Sequence, residues 1–274
     1  MLSTTMIAKK HGFKAKPYLF DFLLDNNFIV KRFSYELTKK GIQYGGNYAY
    51  NEKGEKWIVW DESKFISVIK MFKINIMKQC NVATLDHMTH IENLDTILKY
   101  GLFSHNNPYK KVDISNLEVN NRRTNIEPIF KKPIHEYVPF YFNPRNAMLY
   151  RNQHLFGDNI IILGFYNDIV CYNNVIFTNA NAAANHCLFT SDITELLNKK
   201  FIDFSKVSSS NWYNYGEPDN HLKQTMMSEV LVEKYVESKY IKTIYCQNNK
   251  IKKYIQDNYN IKGIKIIIEP RIFF

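Results

Sequence analysis

Between Glu62 and Lys78 the apolar residues Phe65, Ile66, Val68, Ile69, Phe72 and Ile76 recur at a spacing near 3.6, which predicts a helix with one buried stripe. Upstream, the pattern is finer. A short helix is expected over Thr5–Lys10, stopped by Gly12. A second is expected from Lys16 to Asn26, with Pro17 in its first turn and Leu19, Phe20, Phe22, Leu23 and Leu24 inward. Extended backbone follows over residues 28–35. Beyond it, the turn residues Gly41, Gly45-Gly46 and Lys53-Gly54 are flanked by Tyr48, Tyr50, Trp57, Val59 and Trp60, the signature of a β-hairpin. Two short helices and a hairpin are consistent with a winged helix-turn-helix.

Past residue 80 strands dominate. Leu85–Thr89 reads as a strand, and Asn93–Tyr100 as a helix with Leu94, Ile97 and Leu98 inward and Gly101 as its C-terminal stop. Val138, Phe140 and Phe142 alternate with Pro139 and Tyr141 before a turn at Asn143-Pro144. Another strand ends at Thr178, and Val230-Leu231-Val232 continues a buried strand opened by Glu229. The chain therefore reads as α+β in two parts, a small module over residues 1–78 and a larger domain over 79–274.

Charge sharpens that division. Of 36 Lys and Arg against 26 Asp and Glu, residues 1–80 hold 14 basic and 7 acidic ones, so +7 of the net +10 sits in the small module. A polyanionic partner fits that asymmetry, and Lys9, Lys10, Lys14, Lys16, Lys31 and Arg32 are its candidate phosphate contacts. The four cysteines, Cys80, Cys171, Cys187 and Cys246, form no CxxC pair and suggest reduced thiols. No uncharged apolar run approaches the ~18 residues of a membrane span, and the first residues lack a signal-peptide pattern. A cytoplasmic protein without membrane contact is expected.

Candidate chemistry lies in five segments. His87 and Thr89, two apart on a strand, face one side, where an imidazole and a hydroxyl can grip a ribose hydroxyl and an amide. Taken alone, His87 fits a structural histidine equally well. Arg122 and Arg123, on extended backbone, would point to opposite sides, leaving one free to fork onto a pyrophosphate. Tyr137, Phe140, Tyr141, Phe142 and Tyr150 supply either plain core or the wall of a pocket for a flat ring. His186 follows a run of small residues, and Glu229 is either a carboxylate raised into a cleft or a strand-edge charge.

In order, the strings HMTHIENLDTIL..GL, NRR, YVPFYFNPRNAMLY, VIFTNANAAANHCLF, FIDF and SEVLV resemble the DarT-type DNA ADP-ribosyltransferase toxins, from about Asp86 to Phe274. The small module is similar to the DNA-binding domain of phage antirepressors in IAKKHGF…LLDNNFIVKRF…LTKKG…WIVW. The first resemblance implies the ADP-ribosyltransferase fold, split antiparallel sheets with flanking helices that clasp NAD+ as substrate, with no metal. On matching positions it implies that His87 and Thr89 hold the nicotinamide and its ribose, with Tyr150 as a wall. Arg123 would reach the NAD+ phosphates and the reacting base. Glu229 would be the catalytic acid, with His186 near the active site, and Tyr141 and Arg145 would meet the acceptor. Where such proteins tend to carry Gln-Ala before the catalytic Glu, this chain has Met227-Ser228, which leaves substrate contacts from those two positions open.

The chemistry suits these residue types. Cleavage of the nicotinamide glycosidic bond leaves positive charge on the ribose, which a fixed carboxylate stabilises. A base can attack only when unstacked, so single-stranded DNA is the expected acceptor, with thymine favoured and guanine second. A toxin of this kind implies an antitoxin that removes ADP-ribose. The competing expectations are an ADP-ribosyltransferase acting on RNA or protein, and a DNA-binding regulator whose large domain senses NAD+.

Overall fold

The computed structural model describes residues 1–105 and 107–274. Strand β1 (Leu2–Ser3) leads into α1 (Thr4–Lys10), whose first turn is capped by the Ser3 hydroxyl accepting from Met6 N. Lys16 was expected to open a helix but is extended (φ −106°, ψ 139°), since a residue before proline is pushed out of the helical region. An irregular turn over Ala15–Leu19 intervenes, and the regular helix α2 covers only Phe20–Asp25. A small hairpin, β2 (Ile29–Lys31) and β3 (Tyr35–Leu37), is followed by α3 (Lys39–Gln43). Strands β4 (Gly46–Tyr50) and β5 (Lys56–Trp60) form the expected hairpin, and β1 adds to it in the order β1-β5-β4. The expected long helix is α4 (Glu62–Gln79), N-capped by Asp61. Its stripe is buried except at Ile66, which faces outward.

The larger part contains β6 (Leu85–His90), α5 (Leu94–Tyr100), β7 (Leu102–Phe103), α6 (Leu117–Arg122), β8 (Tyr137–Tyr141), α7 (Ala147–Phe156) and β9 (Ile160–Phe165). It continues through β10 (Ile176–Thr178), β11 (Phe189–Thr190), α8 (Phe204–Val207), β12 (Tyr213–Asn214), β13 (Glu217–Pro218) and α9 (Asn220–Thr225). The last elements are β14 (Glu229–Glu233), β15 (Tyr235–Val236), β16 (Ile241–Cys246), α10 (Asn249–Asn258) and β17 (Lys265–Ile268). Gly101 ends α5 at φ +86°, and a Cβ there would lie 2.4 Å from the Tyr235 ring, so only glycine suits the stop.

Eight strands form one sheet in the order β11-β10-β14-β8-β6-β9-β16-β17. Its seam decides where ligands can enter. Five register pairs join β14 to β8 and six join β6 to β9, whereas β6 and β8 meet only at Asp86↔Tyr141. Beyond that pair the two halves diverge, and the sheet is split in the sense expected. One edge departs from an all-antiparallel plan: β17 lies parallel to β16, reached through the crossover helix α10.

Helix α4 packs on the turns Asn167–Cys171 and Ile193–Leu197, and buried apolar residues run without interruption from Ile7 through Phe72 to Phe140 and Ile255. A Lys14–Glu195 ion pair also ties the small module to the larger part. All four cysteines are free thiols. No helix among the described residues is long and apolar enough to cross a membrane.

Glu127 anchors the connection between α6 and β8. At 1% exposure, its carboxylate accepts from Ile129 N (2.6 Å), Phe130 N (2.9 Å), Lys132 N (2.9 Å) and the Tyr137 hydroxyl (3.0 Å). Glu127→Ala strands these buried donors, and we expect it to cost about 3 kcal/mol in urea unfolding. A loss under ~1 kcal/mol would show that the loop holds itself.

Candidate active site

The cleft opens at the split. Strand β6 contributes His87 and Thr89, β8 contributes Tyr137, Pro139 and Tyr141, and α6 with its following residue contributes Asn120 and Arg123. Val138 and Phe140, the alternate positions of β8, join the main core, so the period-2 pattern separates cleft from core along one strand.

His87 spans the gap, with Nδ1 2.8 Å from the Pro139 carbonyl oxygen. A carbonyl only accepts, so Nδ1 carries the proton and Nε2 keeps its lone pair. Burial pulls the imidazole down to about 4, and the contact to Pro139 offsets only part of that effect. The ring is therefore neutral across the physiological range, a hydrogen-bond acceptor rather than a cation. Thr89 Oγ1 accepts from Asn93 Nδ2 at 3.1 Å. Asn93 also donates to Val112 O and accepts from Lys111 N and Val112 N, which holds residues 111–112 at the cleft wall.

Arg123 and Glu229 meet although 106 residues separate them. Nη1 donates to Oε1 at 3.2 Å and Nη2 to Oε2 at 3.0 Å, a two-pronged pair in which Glu229 is wholly buried. Ala182 N donates to Oε1 at 3.2 Å, and Glu229 N donates to Thr178 Oγ1 at 2.9 Å. The small residues of the 180–184 loop let its backbone come this close. Burial opposes the guanidinium charge, but Glu229 more than offsets it and holds Arg123 above its usual value. Tyr141, directly opposite Glu229, is pushed up by burial and by that carboxylate, and so stays protonated.

The expectation of extended backbone at Arg122-Arg123 is corrected: Arg122 ends α6, capped at its start by Asn116, and Arg123 follows it. Helical geometry still sends them apart. Arg122 Nε donates to Ala183 O at 3.2 Å and lines a second cavity with His186, Arg151, Lys223 and Met227. That cavity adjoins the first, both being lined by Asn116, Val119, Met148 and Asn181.

Of the residues singled out in the sequence, His87, Thr89, Arg123 and Tyr141 line the cleft, and Glu229 lies behind Arg123. His186 stands exposed in the second cavity. Arg145 is drawn elsewhere, donating to Ser210 O at 2.9 Å and lying 4.1 Å over the Phe274 ring. Half-exposed Tyr150 packs edge-on to Trp212 and Phe274. Met227 lines the second cavity, and the buried Ser228 hydroxyl is committed to Thr225 O at 2.7 Å. Sequence reasoning did not single out Asn93, Asn181, His105, His135 or Lys110 for the cleft. The two histidines stack at 4.2 Å and both sit below their ordinary value through burial. Only Asn93 carried a signal, as an asparagine at a helix start. Among the described residues no group of three or more His, Cys, Asp or Glu is placed to hold a metal.

A split, mainly antiparallel sheet with a carboxylate–guanidinium pair and a neutral imidazole at its cleft fits the ADP-ribosyltransferase class of α+β folds. The family model described as ssDNA thymidine ADP-ribosyltransferase, DarT, matches residues 87–274, and the chain belongs to that family. It is 26% identical over 203 residues to a DNA ADP-ribosyl transferase–DNA ADP-ribosyl glycohydrolase fusion protein of Thermosipho africanus, covering 69% of this chain and 49% of the relative. Thermosipho africanus DarTG in complex with ADP-ribose superposes with a TM-score of 0.61 at 27% identity, over 70% of this chain and 51% of that one. The chain thus spans about half the length of these two relatives. Thermus sp. 2.9 DarT in complex with ADP-ribosylated ssDNA shares the fold with a TM-score of 0.58 at 23% identity, over 71% of this chain and 97% of that one.

Proposed function

We propose that the protein transfers ADP-ribose from NAD+ to a thymine in single-stranded DNA and acts as a toxin. The observation that carries this reading is the Arg123–Glu229 pair, set beside His87 and Thr89 where the sheet splits. His87 and Thr89 receive the nicotinamide and its ribose, the imidazole accepting through Nε2. Glu229 is covered by Arg123, so ligand entry has to draw the guanidinium off, toward the NAD+ phosphates and the acceptor base. The freed carboxylate then faces the ribose carbon as its bond to nicotinamide breaks and positive charge develops there. The base nitrogen closes the new glycosidic bond and gives up its proton to a nearby acceptor, for which Glu229 is available. Arg122, Arg151 and Lys223 of the adjoining cavity suit the phosphates of a strand threaded to the cleft.

The small module, residues 1–78, serves on this reading as a winged-helix-like DNA-binding part. Support comes from its β1-β5-β4 sheet, with helices α1, α2 and α3 lying between β1 and β4 in the chain, and from its share of the positive charge. The name of the Thermosipho africanus fusion relative supports a partner that hydrolyses ADP-ribose from DNA, with both acting in the cytoplasm.

The test is mass spectrometry of single-stranded oligonucleotides, each carrying one base type, after incubation with NAD+. An ADP-ribose adduct on thymine is expected, and none on matched RNA. Adducts only on guanine would correct the base. NAD+ consumption without any DNA adduct would defeat the reading.

A further inference from the structure

Five of the six basic residues of the small module that the sequence puts forward for phosphates fall into two environments. Lys10 is held by Glu62 at 2.6 Å, and Lys14 by Glu195. Both partners are acidic, so these two cations are already neutralised within the chain. Lys16, Lys31 and Arg32 gather instead on a surface interleaved with rings. Lys16 Nζ lies 5.4 Å over Phe20, Phe20 meets Tyr35 at 4.9 Å, and Lys31 Nζ lies 6.0 Å over Tyr35. At the end of this row the β2–β3 hairpin turns through Arg32, Phe33 and Ser34. Phe33 is fully exposed there, and the Arg32 side chain is 73% exposed, with Glu36 the carboxylate near it at 3.8 Å.

Placing a whole phenyl ring in water forgoes about 1.5–3 kcal/mol of burial, and here it is done at a hairpin tip whose neighbours are two cations. Alternating cations and rings match a strand of nucleotides, in which phosphates and flat bases also alternate. An acidic or plain apolar protein surface would match one component and not the other.

Resting on the reading that the small module serves DNA, we propose that the row Lys16–Phe20–Tyr35–Lys31 and the tip Arg32-Phe33 form a second single-stranded DNA contact outside the catalytic cleft. Phe33 stacks on a base, and Arg32 and the two lysines take the flanking phosphates. The α1 side, with Lys10 and Lys14, stays off the nucleic acid.

The experiment is fluorescence anisotropy of the full chain, without NAD+, on a labelled mixed-sequence single strand of about 20 nucleotides. Phe33→Ser should weaken binding about tenfold. Arg32→Ser should weaken it and reduce the slope of log affinity against log salt by about 0.7. The paired variant Lys10→Ser/Lys14→Ser should leave affinity within twofold. Because Phe33 and Arg32 are exposed, thermal midpoints of their variants should match the parent. Unchanged affinity in Phe33→Ser and Arg32→Ser, or a loss seen only with duplex DNA, overturns the proposal. Failure of the catalytic reading is separate, because it shows as absent adduct in the parent protein.

Discussion

Glu229→Gln is expected to lower thymine adduct formation about 10³-fold or more while NAD+ still binds. The substitution keeps the shape of the side chain and removes its charge, and that charge is what a ribose losing nicotinamide requires. One fixed electrostatic group of this kind is worth about 10²–10³ in rate, and proton transfer to the same group adds to it. Calorimetric NAD+ titration beside adduct mass spectrometry separates the two effects. Adduct formation within tenfold of the parent would remove Glu229 from the chemistry. Both variants remove the carboxylate from Arg123, but Glu229→Ala is the poorer test, since it also removes every acceptor and the side-chain volume where glutamine keeps one amide oxygen, and breaking a buried pair from one side costs about 3–5 kcal/mol. Arg123→Ala has the mirror defect. Glu229→Gln paired with Arg123→Gln should regain part of the stability either alanine loses, with no return of activity.

The second large effect concerns Asp86, which holds the one register pair between the halves of the sheet. Its carboxyl is buried, and Oδ1 has no hydrogen-bond partner among the described residues. Burial pushes it up to about 7, and the nearby Thr84 hydroxyl pulls only weakly the other way. Between about pH 4 and pH 7 the folded chain therefore keeps a proton that the unfolded chain releases, and folding stability falls across that window. The loss is complete above about 7 and absent below the unfolded value of 3.8. At about 1.4 kcal/mol per pH unit it amounts to up to about 4 kcal/mol. Asp86→Asn stays neutral, so it should be the more stable protein at pH 8 and lose that advantage at pH 4. Urea midpoints for both proteins across that range give the measurement. A parallel pH dependence in parent and variant would assign the loss to other groups.

Much of the site's framework was legible because it is local. A period of two carried His87 and Thr89 to one side of a strand and divided β8 into cleft and core positions. A period near 3.6 marked α4, and the glycine pairs marked the β4–β5 hairpin. Collinear motifs carried the family. The misread places have physical causes. The extended reading of Arg122-Arg123 fails because α6 is only six residues long and has no apolar stripe, so its helicity rests on the Asn116 cap and on packing. Proline displaced the expected start of α2. Arg145 and Tyr150 sit in the YVPFYFNPRNAMLY string, yet the C-terminal Phe274 and the Ser210–Trp212 loop claim both of them.

By itself, the sequence determined which residue types are present for the chemistry, the strands that bear His87, Thr89 and Glu229, and the family they belong to. Only the tertiary structure decided that Arg123 covers Glu229, that Asn93 holds residues 111–112 at the cleft, that His87 is neutral, and that Lys10 and Lys14 are tied to Glu62 and Glu195 while the exposed Arg32 has Glu36 only at 3.8 Å. Local spacing fixes periodicity and turns within a dozen residues. Pairings across 106 residues, and the burial that shifts a proton's affinity, come into being only when the whole core closes.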